Sequence, residues 1–161
     1  MSFDLFLVTF ENGGKATADT AAACVVLERA EYDHRPEFDV YDINFEDGSH
    51  VEMYASGLHG GKKQFDGAMF VIRGMSTAIG AFIFEFSRAA GCVIFPAMEP
   101  ACVLLPREDL ASHLPADLGD DFQRVPVGNA GELLAALNGG YDSWLAYRDQ
   151  VVRSFGNGPA D

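Results

Sequence analysis

The feature that most constrains this fold is a long apolar stretch over residues 74–105. Ser76 is a favourable N-cap residue and Gly91 a favourable C′ residue, so the stretch predicts a helix between them. The sequence after Gly91 predicts a buried strand, a turn bracketed by Pro96 and Pro100, and a second strand. The other elements of the chain must pack against this apolar unit. Within the helix, apolar residues at helical spacing form one stripe: Ile79, Phe82, Ile83, Phe86 and Ala90.

Phe84 does not belong to this stripe, because it points to the opposite side of the predicted helix. It could lie under a C-terminal segment, or it could be one of the single apolar side chains that proteins commonly expose. It could also contact a second copy of the chain or another partner. Phe84 is therefore a candidate interface residue, and a homodimer is one of the expected assemblies.

Net charge limits the kinds of partner that the chain can bind. The 161 residues include 24 acidic and 11 basic side chains, giving a formal net charge of -13. A field of this sign repels nucleic-acid phosphates and anionic membranes, and it favours a basic protein partner. The alternative is that the acidic surface only keeps the protein soluble. The length suits one domain, expected over residues 1–155, with a flexible tail over 156–161.

The sequence predicts a cytoplasmic protein. Its start lacks the basic region of a signal peptide, and no window approaches the roughly 20 apolar residues of a membrane span. The three cysteines show no Cys-x-x-Cys spacing and are expected to be buried, reduced thiols. Cys92 and Cys102 could face each other, but nothing requires a disulfide. A nucleophilic cysteine is the alternative, which burial in apolar surroundings disfavours.

The remaining segments predict an α+β fold. Residues 3–10 suit a central strand, Thr17 or Asp19 can begin a helix that continues to about residue 30, and residues 32–36 read as a loop with a solvated His34. The fold class is a mainly antiparallel sheet with helices packed on one face and a helical C-terminal part. Further elements are expected along the chain: strand 68–73, a short helix ended by Pro115, an edge strand over 122–127, a helix beginning at Asn129, and a last helix carrying Trp144, Tyr147, Val151 and Phe155.

Residues 39–55 predict the clearest hairpin. A three-residue loop with Gly48 in the left-handed conformation pairs residue 45 with 49, 43 with 51 and 41 with 53. This register separates the two faces of the hairpin, whereas a two-residue turn would mix them. One face is then apolar, and the other carries Asp42, Asn44, His50, Glu52 and Tyr54.

The polar face of this hairpin is the place where chemistry would most plausibly occur. Asp42 lies opposite Glu52, and like charges in that position need compensation by water, by Lys62, Lys63 or Arg73, by a bound cation, or by a raised carboxyl pKa. His50 and the two carboxylates could bind a metal ion or act as acid and base, and His59 could join them. The face could equally be solvated or bind a protein. No cofactor is predicted, and the glycine-rich loop over 56–67 lacks P-loop spacing.

Three segments carry a resemblance. The opening Met-Ser-Phe-Asp-Leu-Phe, the Phe-Glu-Asp-Gly turn and the Gly-Cys-Val-Ile-Phe-Pro segment resemble a group of small bacterial proteins without an assigned function. In size, charge and fold class the chain is also similar to immunity and antitoxin-like proteins. That similarity implies a non-catalytic protein-binding module, and the alternative is a small enzyme or metal- or ligand-binding protein with its site on the hairpin.

Overall fold

The chain forms an α+β fold around one large, mostly antiparallel sheet. The computed structural model describes residues 3–60, 63–98, 101–119 and 122–138. Eight strands lie in the order β10-β9-β8-β1-β7-β6-β5-β4, and only β10 and β9 pair in parallel. A separate two-stranded ribbon joins β2 to β3. The strands are β1 (Phe3–Val8), β2 (Phe10–Glu11), β3 (Gly14–Lys15), β4 (Glu31–Arg35), β5 (Val40–Asn44), β6 (His50–Tyr54), β7 (Gly67–Ile72), β8 (Val93–Pro96), β9 (Cys102–Leu105) and β10 (Gln123–Pro126).

The helices begin and end where their capping residues predict. α1 (Thr20–Glu28) is capped by Asp19, and α2 (Thr77–Ala90) begins after Ser76, whose hydroxyl accepts a hydrogen bond from the Ile79 amide at 3.1 Å. Gly91 ends α2 in the left-handed conformation, with φ of 76°. A third helical segment, 130–138, follows Asn129, whose side chain accepts from the Glu132 amide at 2.9 Å. These local signals therefore define the ends of the helices.

The main core lies between the helices and the inner face of the sheet, which carries Leu5, Phe70 and their fully buried neighbours. Four phenylalanine rings form its centre, with the Phe86 ring 5.7 Å from Phe82, 6.0 Å from Phe65 and 6.1 Å from Phe70. Ser87, on the same helix, satisfies its hydroxyl by donating to the Ile83 carbonyl at 2.7 Å. The predicted apolar stripe of α2 is thus the centre of the core.

Phe84 is buried, so it is not one of the single apolar side chains that proteins expose. Only 6% of the residue is accessible, and it belongs to the main core. α1 packs beside α2, and Val26 of α1 lines the same surface groove as Phe84. The Arg88 guanidinium lies 6.0 Å from the Phe84 ring. An interface role for Phe84 stays a prediction.

The segment expected to be a loop over residues 32–36 is the edge strand β4, which pairs antiparallel with β5. Its side chains alternate, so Tyr32 and His34 turn towards Tyr41 while Asp33 and Arg35 turn outward. His34 is half-buried and stacks on Tyr41 at 4.2 Å, which corrects the expectation of a solvated imidazole. The hairpin register is confirmed, because Tyr41 pairs with Met53 and Ile43 with Val51.

The outer face of the sheet is covered only in part. Leu110 and Leu114, from the 3-10 helix Glu108–His113 and its end, pack with Val93, Val103 and Leu105 into a second, smaller core. This element is the short helix expected before Pro115, and it has the 3-10 form. We call the outer sides of β1, β7, β6, β5 and β4 the open face, of which Val8 at the end of β1 packs against the second core. The predicted helix with Trp144, Tyr147, Val151 and Phe155, and the tail 156–161, lie outside the described residues.

Candidate functional site

The hairpin places its polar residues as the register predicts. Asp42 lies opposite Glu52, and Asn44 lies opposite His50. The two carboxylates are compensated by arginines: Arg35 Nε lies 3.2 Å from Asp42 Oδ2, and Arg73 Nη1 lies 2.5 Å from Glu52 Oε1. Arg73 is one of the compensating groups that the sequence predicts. Arg35 is not among them, because the sequence predicts a loop over residues 32–36. The like charges therefore do not require a bound cation.

The four predicted site residues do not converge. His50 is exposed, and within the described part of the chain its imidazole makes no hydrogen bond or ion pair with Asp42 or Glu52. His59 lies on the other side of the sheet, where its Nδ1 is 2.8 Å from the Tyr41 hydroxyl. The expectation that His59 joins the hairpin carboxylates is therefore wrong, because Tyr41 and Asp42 are neighbours in a strand and point to opposite faces.

His59 instead belongs to a hydrogen-bonded cluster at the edge of the sheet. Its Nε2 lies 3.5 Å from Glu28 Oε1, which also accepts a 2.6 Å hydrogen bond from the Tyr32 hydroxyl. Both ring nitrogens of His59 therefore have partners within the described part of the chain. The cluster joins the end of α1, strands β4 and β5, and the glycine-rich loop. We interpret it as a tether for that loop.

Burial and hydrogen bonding shift the acidities of this cluster. Burial, with the nearby charge of Asp39, raises the pKa of Tyr41 to about 12. The hydrogen bond to Glu28, followed by desolvation, raises the pKa of Tyr32 to about 12. The same hydrogen bond lowers the pKa of Glu28. Both phenols are therefore neutral at physiological pH, and Tyr32 donates to Glu28.

These shifts predict an alkaline loss of stability. A phenol whose pKa is 10.0 in the unfolded chain and about 12 in the fold contributes stability that is complete below pH 10 and lost as pH rises towards 12. At about pH 11, the contribution of Tyr41 to the free energy of unfolding should have fallen by roughly 1 kcal/mol. Urea unfolding across this range should show the decline in the wild type. Tyr41→Phe should have a lower free energy of unfolding at neutral pH and a shallower decline of that free energy as pH rises. If the free energies of the two proteins fell in parallel, the assignment to Tyr41 would be contradicted.

The cysteines are free thiols with little nucleophilic character. Cys92 and Cys102 are buried and unbonded to each other. Burial raises the pKa of Cys92 to about 11, although its sulfur lies 3.3 Å from the Thr9 hydroxyl. Burial also raises the pKa of Cys24 and of Cys102. A thiolate is the nucleophilic form, so these thiols are unsuited to covalent catalysis at neutral pH.

The open face carries an apolar band that the sequence reading did not identify. The band consists of four residues that are paired across adjacent strands. Phe95 on β8 pairs with Phe6 on β1, Phe6 pairs with Met69 on β7, and Met69 pairs with Tyr54 on β6. Phe6 is 42% exposed, and the other three side chains are half-buried. The sequence feature that indicates this band is the apolar character of both faces of β1. That feature predicts a central strand but does not show which of its faces stays uncovered.

An acidic row runs beside the apolar band. This row runs across five adjacent strands, because each of its residues pairs with the next one. In order across the sheet, the residues are Asp4, Val71, Glu52, Asp42 and Asp33, of which four carry carboxylates. Arg35 and Arg73 neutralise two of them. One oxygen of Asp4, Oδ1, is shielded from solvent and has no hydrogen-bond partner among the described residues. The open face thus presents apolar and acidic groups side by side.

A cleft lies at one end of the apolar band. It has a volume of about 380 Å³, and we call it the end cleft. Its apolar lining includes Phe38, Val8 and Met69, and its charged lining consists of Lys15, Asp39 and Asp66. Phe38 is 65% exposed, and Asp39 adopts a left-handed backbone with φ of 53°. Apolar walls with a few polar groups are typical of binding pockets.

Comparison with protein-family models, with curated proteins and with solved structures finds no match for this chain. In the part of the chain that the structure describes, no set of three or more His, Cys, Asp and Glu side chains is placed to hold a metal ion. None of the described helices has the length and apolar character needed to cross a membrane. The open face and the end cleft therefore provide the basis for a functional assignment.

Proposed function

We propose that this protein is a non-catalytic binding module whose open face binds a basic protein partner. The observation that carries the proposal is the apolar band lying directly beside the acidic row. Apolar side chains with acidic neighbours match a partner surface that presents leucine-like or aromatic anchors next to lysine or arginine. The resemblance to immunity and antitoxin-like proteins also implies a non-catalytic, protein-binding role.

Apolar exposure supports the band as a contact surface. Phe6 is 42% exposed in the middle of a sheet, and it is flanked on adjacent strands by Phe95 and Met69. Aromatic and methionine side chains are enriched at the centres of protein interfaces. Burying such a group under a partner removes apolar area from water, which is the main favourable term in association.

Charge supports a basic partner over a second copy of this chain. The net charge is -13, and the open face carries more carboxylates than arginines. Two such faces brought together would place like charges opposite each other, whereas lysine or arginine would pair with Asp33 and Asp4. The field would also accelerate association with a basic partner at low salt.

Affinity purification from an extract of the native cells tests the proposal. We expect the immobilised wild-type protein to retain a stoichiometric partner of basic isoelectric point, eluted by raised salt. Phe6→Asp, which places a charge in the apolar band, should reduce retention at least tenfold, equivalent to about 1.4 kcal/mol.

The matched control is Val25→Asp. Val25 is 54% exposed on α1, in the layer on the other side of the sheet. This variant should retain the partner as the wild type does, and thermal unfolding of both variants checks that the fold is kept. Failure to recover a stoichiometric partner, or equal losses with both variants, would contradict the proposal. Recovery of a second copy of the chain alone would replace it with self-association.

A further inference from the structure

We infer that the end cleft receives one lysine or arginine side chain of the partner, an inference that rests on the proposed function and specifies it. The cleft is continuous with the apolar band, because Tyr54 and Met69 line both. A segment bound on the band would therefore lie next to the cleft. Its volume of about 380 Å³ is enough for one long side chain and some water.

The charged side chains that line this cleft favour the binding of a cation. The Asp66 carboxylate makes no hydrogen bond or ion pair among the described residues, although its backbone carbonyl accepts from Thr9. Asp39 uses one oxygen, Oδ2, to accept from the Ser56 hydroxyl at 3.0 Å, and its Oδ1 has no side-chain partner among the described residues. Among the described residues of the lining, Lys15 is the only basic one. Two carboxylates against one ammonium give the cleft a net negative charge that a second cation would balance.

The apolar lining suits the rest of such a side chain. Lysine and arginine carry a flexible aliphatic stem that packs on apolar surfaces while the charged head reaches polar groups. Val8 and Met69 are available to the stem. The rings of Phe38 and Tyr54 can contact the charged head, since ammonium and guanidinium groups are attracted to aromatic faces. The 65% exposure of Phe38 leaves its ring accessible for this contact.

Nuclear magnetic resonance titration of the full chain with small probes tests the inference without the partner. The probe is N-acetyl-lysine methylamide, and N-acetyl-norleucine methylamide is its uncharged match. We expect the lysine probe to shift the backbone amides of Asp39, Ser56 and Gly67 along a saturable curve. The norleucine probe should bind about tenfold more weakly, which corresponds to the loss of one charge-assisted hydrogen bond.

Variants connect this binding to the carboxylates. Asp66→Asn should weaken the lysine probe about tenfold, whereas Asp33→Asn, a charge-matched change outside the cleft, should leave it unchanged. Equal curves for the two probes, no saturation with the lysine probe, or stronger binding of N-acetyl-glutamate methylamide would overturn the inference. Because these titrations need no partner, a negative result here is separate from a failure to recover a partner from the extract.

Discussion

Phe86→Ala should lower the free energy of unfolding by about 3–5 kcal/mol, the usual cost of removing a buried phenylalanine. Phe86 is fully buried, and three other phenylalanine rings surround it within 6.1 Å. Those rings come from α2, from β7 and from the segment before β7, so a cavity here would loosen contacts between the helix layer and the sheet. Typical domains have only about 5–15 kcal/mol of stability, so the variant should unfold at much lower urea concentrations.

Phe38→Ala provides the matched control, since it is the same substitution at a residue that is 65% exposed. Surface changes of this kind usually alter stability by less than about 0.5 kcal/mol. Phe86→Leu should fall between the two, because it keeps most of the apolar volume. A loss below about 1 kcal/mol for Phe86→Ala, or a loss equal to that of Phe38→Ala, would mean that the aromatic cluster is not the centre of the core.

Gly67→Ala is the second change with a large expected effect, about 3 kcal/mol of destabilisation. A Cβ atom at Gly67 would lie against the carbonyl oxygen of Leu7, closer than any van der Waals contact allows. Relief requires β1 or β7 to move, because the obstructing atom is backbone and Gly67 pairs with Val8 across these strands. Gly67 also lines the end cleft, so the displacement would change the surface proposed to bind the partner.

Gly74→Ala is the corresponding control at the other end of β7. A Cβ atom there meets nothing within 4 Å, so the change should be neutral or slightly stabilising. Urea denaturation of the two variants side by side measures the difference directly. If Gly67→Ala matched Gly74→Ala in its unfolding midpoint, the close approach of β1 and β7 at this position would not be real.

The parts of the fold that the sequence predicts are those governed by local signals. Ser76, Gly91 and Asn129 mark helix ends through hydrogen bonds and backbone conformations that involve only nearby residues. The hairpin register follows from alternation together with Gly48, whose φ of 85° the three-residue loop requires. These features depend on neighbours in the sequence and not on the rest of the molecule.

The features that were missed depend on packing between distant segments. β4 lacks β-branched residues and becomes a strand by pairing with β5 at the sheet edge, a contact that propensity does not encode. Phe84 is buried because α1 lies beside α2, which the periodicity of α2 alone cannot show. His59 was assigned to the wrong face because the path of its loop is set by Tyr41 and Glu28.

The proposed binding surface was predicted only in part. Asp42 and Glu52 were identified as an outer pair, and their neighbouring acidic row extends that prediction. The apolar band requires the order β8-β1-β7-β6, which brings Phe95, Phe6, Met69 and Tyr54 together from strands distant in sequence. The end cleft likewise combines residues from 7 to 69. Strand order, which no local pattern specifies, therefore determines the site.

The most direct test of the central claim is site-specific photo-crosslinking in intact native cells. A photoreactive amino acid replaces Phe6 on the open face or Val25 on α1, since both side chains are exposed and lie on opposite sides of the molecule. We predict that position 6 captures one discrete basic protein and that position 25 does not. Capture of that protein from position 25 but not from position 6, or no discrete product from position 6, would contradict the assignment of the open face as the binding surface.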